Sequence, residues 1–455
     1  MLPQTLLCLL SVATAFAQAT PVPLPLNKMV MTLPNSDLAS IPGPGSGDGI
    51  VEITLNQGLG AFTGPFPNGG VLAVSGQGPF EVGVSDSGPI HESLDATPLL
   101  GDTTSNQAIV FSAPFADVEP SPELKYPNYT LPQANLTFPQ FPQAQSLDFS
   151  LILAPTSSRV LTNILQTGCS IRASQSSSVG TVINQTLWLR DEYGWRNQWL
   201  IGGLNPSTNY TAYVIQNDTK VSGPIYFATK SAAFPCSLVH SLSYCPSVAY
   251  SVPLDASLLP SGYSAFDSTS LPSNVSKSLL SSLTNFTTNL LTFPCGRDMY
   301  SPLVTCEDCQ AAYRRWLCAV SFVRCSEPSP QQPGSFTTTM PAPIATGMGV
   351  RRSQQQVLSA LVPVPTPTSI NGSNPRNPSL PGLSANYLML LPCLETCNAA
   401  ARACPPLLQF KCPVSRFNAG ASYGVGYIDG FGGDQGKGAT GVAQDRWGNV
   451  WCNGV

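Results

Sequence analysis

Twelve of the fourteen cysteines lie between Phe234 and the C-terminus, and no other feature constrains the fold as strongly. In an oxidising compartment an even cysteine count means a disulfide framework before it means a metal site. Cys306-Glu-Asp-Cys309 has the two-residue gap of a zinc or redox pair. No histidine follows His240, which removes the usual nitrogen ligands of zinc. No βαβ pattern surrounds the motif either, as a thioredoxin-like centre requires. Spacing within the segment predicts helices. Cys393, Cys397 and Cys404 are four and seven residues apart, which at about 100° per residue places them on one helical face. Cys318 and Cys325, again seven apart, predict the same on a second helix. Cysteines stacked on one face do not bridge each other readily, so each staples its helix to another segment.

A disulfide framework needs an oxidising route, and the N-terminus supplies one. The apolar run Leu6–Phe16 ends in Ala15-Phe16-Ala17, a small-x-small cleavage pattern, so residues 1–17 read as a signal peptide. Cleavage there removes Cys8. Eight Asn-x-Ser/Thr sequons follow, at Asn128, Asn135, Asn184, Asn209, Asn217, Asn274, Asn285 and Asn371. Together they predict a glycosylated luminal surface. Charged residues are only 10% of the chain, and glycans would supply the hydration that charge does not. No later segment offers the about 18 consecutive apolar residues of a membrane span. The nearest, Leu279–Phe293, is interrupted by Ser, Thr and Asn. Association with a membrane would therefore go through a partner.

Lys plus Arg number 21 against 25 for Asp plus Glu, with no basic block, which excludes an electrostatic footprint for nucleic acid. Only two histidines occur, His91 and His240, leaving little for acid/base or metal chemistry. One nucleophile-elbow string exists, Gly420-Ala-Ser422-Tyr-Gly424, but no histidine follows it and it sits in a Gly-rich tail. Asp429, Asp434 and Asp445 in that tail lack the spacing and closing Glu of a calcium loop. No catalytic residue, metal ligand or cofactor is expected, and the chain does not read as an enzyme.

Composition shifts divide the chain. Residues 18–48 are a Pro/Gly-rich leader, and 49–114 carry short alternating strands that predict a small all-β domain, with Phe80–Ser85, Ala108–Phe111 and Ile50–Leu55 among them. Residues 115–146 repeat Pro every few positions, which reads as a linker or an edge-running arm. Strands resume at about ten-residue spacing over 147–232, the rhythm of a β-sandwich. The end of that stretch, GGLNPSTNYTAYVIQNDTKVSGPIYFATKS, resembles the last strands of a fibronectin type III domain, with Tyr210 as corner tyrosine and Trp199 and Tyr213 in the core. Cys169 is expected as a buried free thiol in a strand. Residues 233–455 form the cysteine-rich domain, with a Pro/Thr/Ser/Gln-rich insertion at about 326–385 expected to be disordered.

That domain resembles a frizzled-type cysteine-rich domain, mainly helical. Cys236 and Cys245 followed by VAYSVP look like its opening. YSPLVTCEDCQAAYRRWLCAVSFVRC looks like its central helix, and LPCLETCNAAARACPPLLQFKCP like the next. The resemblance implies the bridges Cys236–Cys325, Cys245–Cys318, Cys309–Cys404, Cys393–Cys452 and Cys397–Cys412. The extra Cys295 and Cys306 would then pair with each other.

As a whole the chain resembles the fungal stretch-activated calcium-channel regulatory subunits, through Gly78–Thr103 and Phe293–Gln310. The resemblance implies an auxiliary subunit of a voltage-gated-type calcium channel. Such a subunit would be held by the pore-forming subunit at the extracellular face of the plasma membrane, or in the endoplasmic reticulum, and would support calcium influx. It would meet the pore through its cysteine-rich domain. The alternative is a free secreted module that binds glycans or lipids.

Overall fold

A computed structural model describes residues 91–117, 131–134, 148–161, 164, 167–296, 298–327, 361–364, 377–413, 422–424 and 452–454, without the side chain of Cys169. It also gives the backbone of short strands between residues 22 and 85 and at 338–339 and 358–359. The signal peptide, Ile50–Leu55, Asp429, Asp434, Asp445 and most of the 326–385 insertion lie outside the described residues. The chain forms two compact units, one of residues 1–98, 142–179 and 210–224, the other of 99–141, 180–209 and 225–455.

In a sheet formed mainly by the first unit, Phe149–Pro155 pairs antiparallel with Asn209–Gln216, and Lys220–Ala228 follows, with Glu92–Ser93 parallel at its far edge. Tyr210–Ile215 and Ile152–Ala154 are buried on both faces of the sheet. Ile152, Ala154, Tyr213 and Ile215 pack with Leu161, Ile171 and Val221. Helix α1, Gly168–Ala173, starts at Thr167, whose hydroxyl accepts from Ser170 N. His91 Nδ1 accepts from Gly168 N at 3.2 Å, so one of the two histidines is spent on a helix start. Cys169 lies in α1 and not in a strand. The leader contributes strands too. Lys28–Pro34 sits between Leu59–Pro65 and Gly83–Ser85, and Val22–Leu24 pairs with Gly70–Leu72. KMVMTLP has the β-branched content for this inside an otherwise Pro-rich stretch.

The second unit contains a sheet ordered Thr181–Leu189, Trp195–Gly202, Ala108–Phe111 and Leu99–Thr103. Strand pairing therefore runs across the expected boundary at 115–146: Val110 lies opposite Trp199, and Phe111 opposite Gln198. Four consecutive buried residues in Ala108–Phe111 need cover on both faces, which a small free-standing β-domain cannot supply. On one face Ile109, Phe111 and Leu200 pack against Leu238, Ala249 and Ala265 of the following segment. The hairpin Ser237–Val239/Tyr250–Val252 lies beside Leu99–Thr103, with Ser251 Oγ donating to Thr103 O at 2.9 Å.

Three helices complete this unit: α2 (Ser273–Leu290), α3 (Cys306–Ser321) and α4 (Leu394–Ala403). Val275, Leu279 and Leu283 recur at every fourth position of α2 and enter the main core with Tyr250, Val252, Phe266, Cys318 and Phe322. A last sheet pairs Tyr387–Leu390 with Arg324–Ser326 on one side and Leu361–Val364 on the other. Two expectations change here. Cys325 is in a strand, because α3 ends at Ser321 and Phe322–Val323 turn the chain into pairing with Met389. Residues 361–364 and 377–385 of the insertion are packed into the fold, with Leu361, Leu380 and Leu383 buried. These leucines are the apolar anchors of an otherwise polar stretch.

Gly101 marks the tightest approach in the unit. A Cβ there would lie 2.5 Å from Ala249 O, a backbone atom that cannot yield cheaply, and 3.2 Å from Ala249 Cβ. Gly101→Ala should lower stability by about 1–3 kcal/mol, read as a fall in the denaturant midpoint of the oxidised protein with unchanged slope.

Candidate functional site

Helix α3 is the element on which the cysteine-rich region is assembled. Thr305 Oγ1 accepts from Asp308 N at 3.2 Å and Asp308 Oδ2 accepts from Thr305 N at 2.8 Å, a reciprocal capping box. Glu307 and Asp308 also complement the helix dipole. The cysteines then fasten the helix on opposite sides. Cys309 and Cys318 are nine residues apart, about half a turn out of phase at 100° per residue. Cys309 joins Cys404 at the end of α4 with Cα atoms 4.6 Å apart. Cys318 joins Cys245 beyond the hairpin strand, at 5.7 Å. Cys306 joins Cys295 at 5.5 Å, closing the loop that enters α3.

The remaining bridges among the described residues are Cys236–Cys325, Cys393–Cys452 and Cys397–Cys412, with Cα separations of 6.4, 5.1 and 5.8 Å. Five of these pairs are those the frizzled-type resemblance implies, and Cys295–Cys306 is the pair expected of the two extra cysteines. The shared helical face holds less well: Cys393 and Cys404 flank α4 as its caps, and only Cys397 lies inside it. Gly424 bridges the backbone of Cys393, which puts the elbow string beside a disulfide. Of the sequon asparagines, Asn184, Asn209, Asn217, Asn274 and Asn285 are exposed. Asn128, Asn135 and Asn371 lie outside the described residues.

Within the expected linker, residues 131–134 lie against α3. Leu131 is buried among Cys295, Cys306, Cys309 and Cys404. Gln310 Nε2 donates to Pro132 O at 2.7 Å, and Arg314 donates to Ala134 O, Gln133 O and Tyr244 O at 2.5, 3.0 and 3.2 Å. Burial lowers the Arg314 pKa to about 10, so the group stays cationic at neutral pH and the three carbonyls carry its solvation. A guanidinium can do this with its fixed fork of donors.

Asp102 is the other buried polar centre. Arg324 Nε lies 3.0 Å from Oδ2 and Lys230 Nζ 3.5 Å from Oδ1. Thr103 N and Ser251 N donate to the same carboxylate at 2.8 and 3.2 Å. Burial alone would raise its pKa, but Arg324 and Lys230 outweigh it and hold the carboxyl below the usual carboxylate range. Arg324 also donates to Gly101 O and lies 5.3 Å over the Tyr250 ring. Tyr250 in turn donates to Phe322 O and accepts from Asn453. This network ties the Leu99–Thr103 strand to the turn that follows α3. His240 is held neutral by burial, beside Ser241 Oγ at 2.8 Å and Gln198.

The outer side of α3 is aromatic. Phe286 stacks on Tyr313 at 3.5 Å between centroids, Trp316 follows at 5.4 Å, and Phe410 meets Trp316 edge-on at 4.8 Å. Trp316 Nε1 donates to the Tyr423 hydroxyl. Next to this ladder the Tyr300 hydroxyl reaches Thr305 O at 2.8 Å and Ala403 O at 2.6 Å, holding the 298–305 loop against the 404–408 turn. On those two pinned loops Leu303 is 89% and Leu407 81% exposed, with Met299 at 58%. Neither Asp102 nor the leucine pair is visible in the sequence as a site. The one available signal was the run Tyr313-Arg-Arg-Trp316, unusual in so weakly charged a chain.

Six bridges and helices stapled to sheets define a disulfide-framed protein in which no helix among the described residues is long and apolar enough to cross a membrane. The family model described as stretch-activated Ca2+-permeable channel component matches residues 68–437, and the chain belongs to that family. The stretch-activated cation channel MID1 of Cryptococcus neoformans var. grubii is 38% identical over 90% of this chain and 67% of its own length. MID1 of Saccharomyces cerevisiae is 30% identical over 47% of this chain and 34% of its length. The stretch-activated cation channel yam8 of Schizosaccharomyces pombe is 27% identical over 50% of this chain and 41% of its length. The match to the two yeast proteins thus spans less than half of each.

Asp102→Asn should destabilise the protein by about 3–5 kcal/mol, because it leaves Arg324 buried against a neutral partner. With the folded-state pKa below the unfolded value of about 3.9, the contribution of Asp102 is present above that value and is lost as pH falls through the folded pKa. Acid unfolding of wild type and variant should therefore converge at low pH, as followed by circular dichroism. Cys309→Ser removes a bridge that typically contributes about 2–5 kcal/mol, and the secreted yield should fall in a quantitative immunoblot.

Proposed function

We propose that this chain is an auxiliary subunit at the extracellular face of the plasma membrane, bound to the pore-forming subunit of a voltage-gated-type calcium channel and supporting calcium influx. Membership of a family of Ca2+-permeable channel components supports the channel assignment. Six bridges and eight sequons support the extracellular placement. The bridge pattern also favours a frizzled-type reading of the helical region.

The observation that carries the partner surface is the pair Leu303 and Leu407 on disulfide-pinned loops. Exposed apolar groups held rigidly bind at low entropic cost and mark contact sites. The Leu99–Thr103 strand belongs to the same unit as the helices, so the partner-binding body extends beyond residues 233–455. The test is the full chain carrying Leu303→Asp and Leu407→Asp. It should be secreted at wild-type level yet lose co-purification with the pore subunit, and calcium uptake should fall with it. Unchanged recovery of the pore would remove this surface from the proposal.

A further inference from the structure

The strand Thr181–Leu189 stands at the end of its four-stranded sheet, and none of the described strands pairs with its outer side. Such an edge invites pairing with another chain unless something blunts it. Its sequence, TVINQTLWL, has no charge and no proline, and at nine residues it is long for a strand. Val182, Ile183 and Leu187 are 49%, 45% and 37% exposed. High β-propensity, no charge and no proline is the composition of an aggregation-prone segment. The one backbone device present is a bulge between Val182 and Asn184.

The middle of this edge is the sequon Asn184-Gln-Thr186. Asn184 is exposed. Asn184 and Thr186 lie opposite Leu200 and Gln198, so they share one face of the strand. Thr186 Oγ1 is buried with no hydrogen-bond partner among the described residues. We propose that Asn184 carries an N-linked glycan whose role is to cover this edge and keep the chain from pairing edge to edge with a second copy. The inference rests on the extracellular placement above.

The attachment balances simply. The Asn184 side-chain nitrogen forms a bond to C1 of an oligosaccharide carried on a lipid pyrophosphate. The C1–O bond breaks, the lipid pyrophosphate leaves with the electron pair, and the amide gives up one proton. The other described sequons sit elsewhere: Asn209 at a strand start, Asn217 at a turn with φ 49°, and Asn274 and Asn285 on α2.

The full chain, produced through a eukaryotic secretory route, is compared with Asn184→Gln, Asn184→Gln/Ile183→Lys and Thr186→Ser. Glycan occupancy is read by mass spectrometry after enzymatic release in heavy-oxygen water. Molar mass is read by light scattering over a concentration series. Asn184 should be occupied and the wild type monodisperse. Asn184→Gln should associate as concentration rises, a lysine on the same edge should restore the monomer, and Thr186→Ser, which keeps the sequon, should behave as wild type. If Asn184→Gln is not secreted, wild-type protein trimmed after folding by an endoglycosidase should show the same association. An unoccupied Asn184 beside other occupied sequons overturns the inference, and so does a monodisperse Asn184→Gln. Absence of glycan from every sequon overturns the extracellular placement, and this inference with it.

Discussion

Everything in the cysteine-rich region depends on α3 being fastened on two opposite sides. Cys309–Cys404 and Cys245–Cys318 close segments 95 and 73 residues apart in the chain. In the chain-entropy model a bridge closing about 100 residues removes about 4.7 kcal/mol of unfolded-state freedom. That is comparable with the whole net stability of a domain, about 5–15 kcal/mol. The two bridges fix what meets α3 on each side: the end of α4 on one, the hairpin region on the other. The arm at Leu131–Ala134 then lies along the helix, where Gln310 and Arg314 donate to three of its carbonyls.

From that anchoring the surface follows. The entry loop of α3 is closed by Cys295–Cys306 and the exit of α4 by Cys309–Cys404, and Tyr300 links the two. Leu303 and Leu407 are therefore exposed without being mobile side branches of long loops. Asp102 extends the same body to the sheet, since Arg324 follows α3 directly and reaches back 222 positions. A chain with 10% charged residues spends three of them in one buried cluster. Buried ion pairs contribute little net energy over apolar packing, but they penalise any arrangement that leaves one partner alone.

The cysteine framework was legible because spacing and evenness are one-dimensional properties. Ala108–Phe111 is legible as a strand, but its neighbours, Leu99–Thr103 among them, are not. A strand pattern reports its faces and says nothing of which partner lies at its edge, so the shared sheet with Trp195–Gly202 was invisible. The seven-residue spacing of Cys318 and Cys325 fits a helix, whereas the strand pairing of Cys325 with Met389 comes from a segment more than sixty residues on. Leu361, Leu380 and Leu383 were lost in the Pro/Ser/Thr background around them. Asp102 with Arg324, and Leu303 with Leu407, became sites only when the fold brought distant residues together.

Non-reducing peptide mapping of the full-length secreted protein tests the central claim most directly. The account predicts separate linked peptides for Cys309 with Cys404 and for Cys245 with Cys318, each lost on reduction. Cys309 linked to Cys306 within its own helix turn, or Cys318 linked to Cys325, would contradict it, because α3 would then be free of the partners on its two sides.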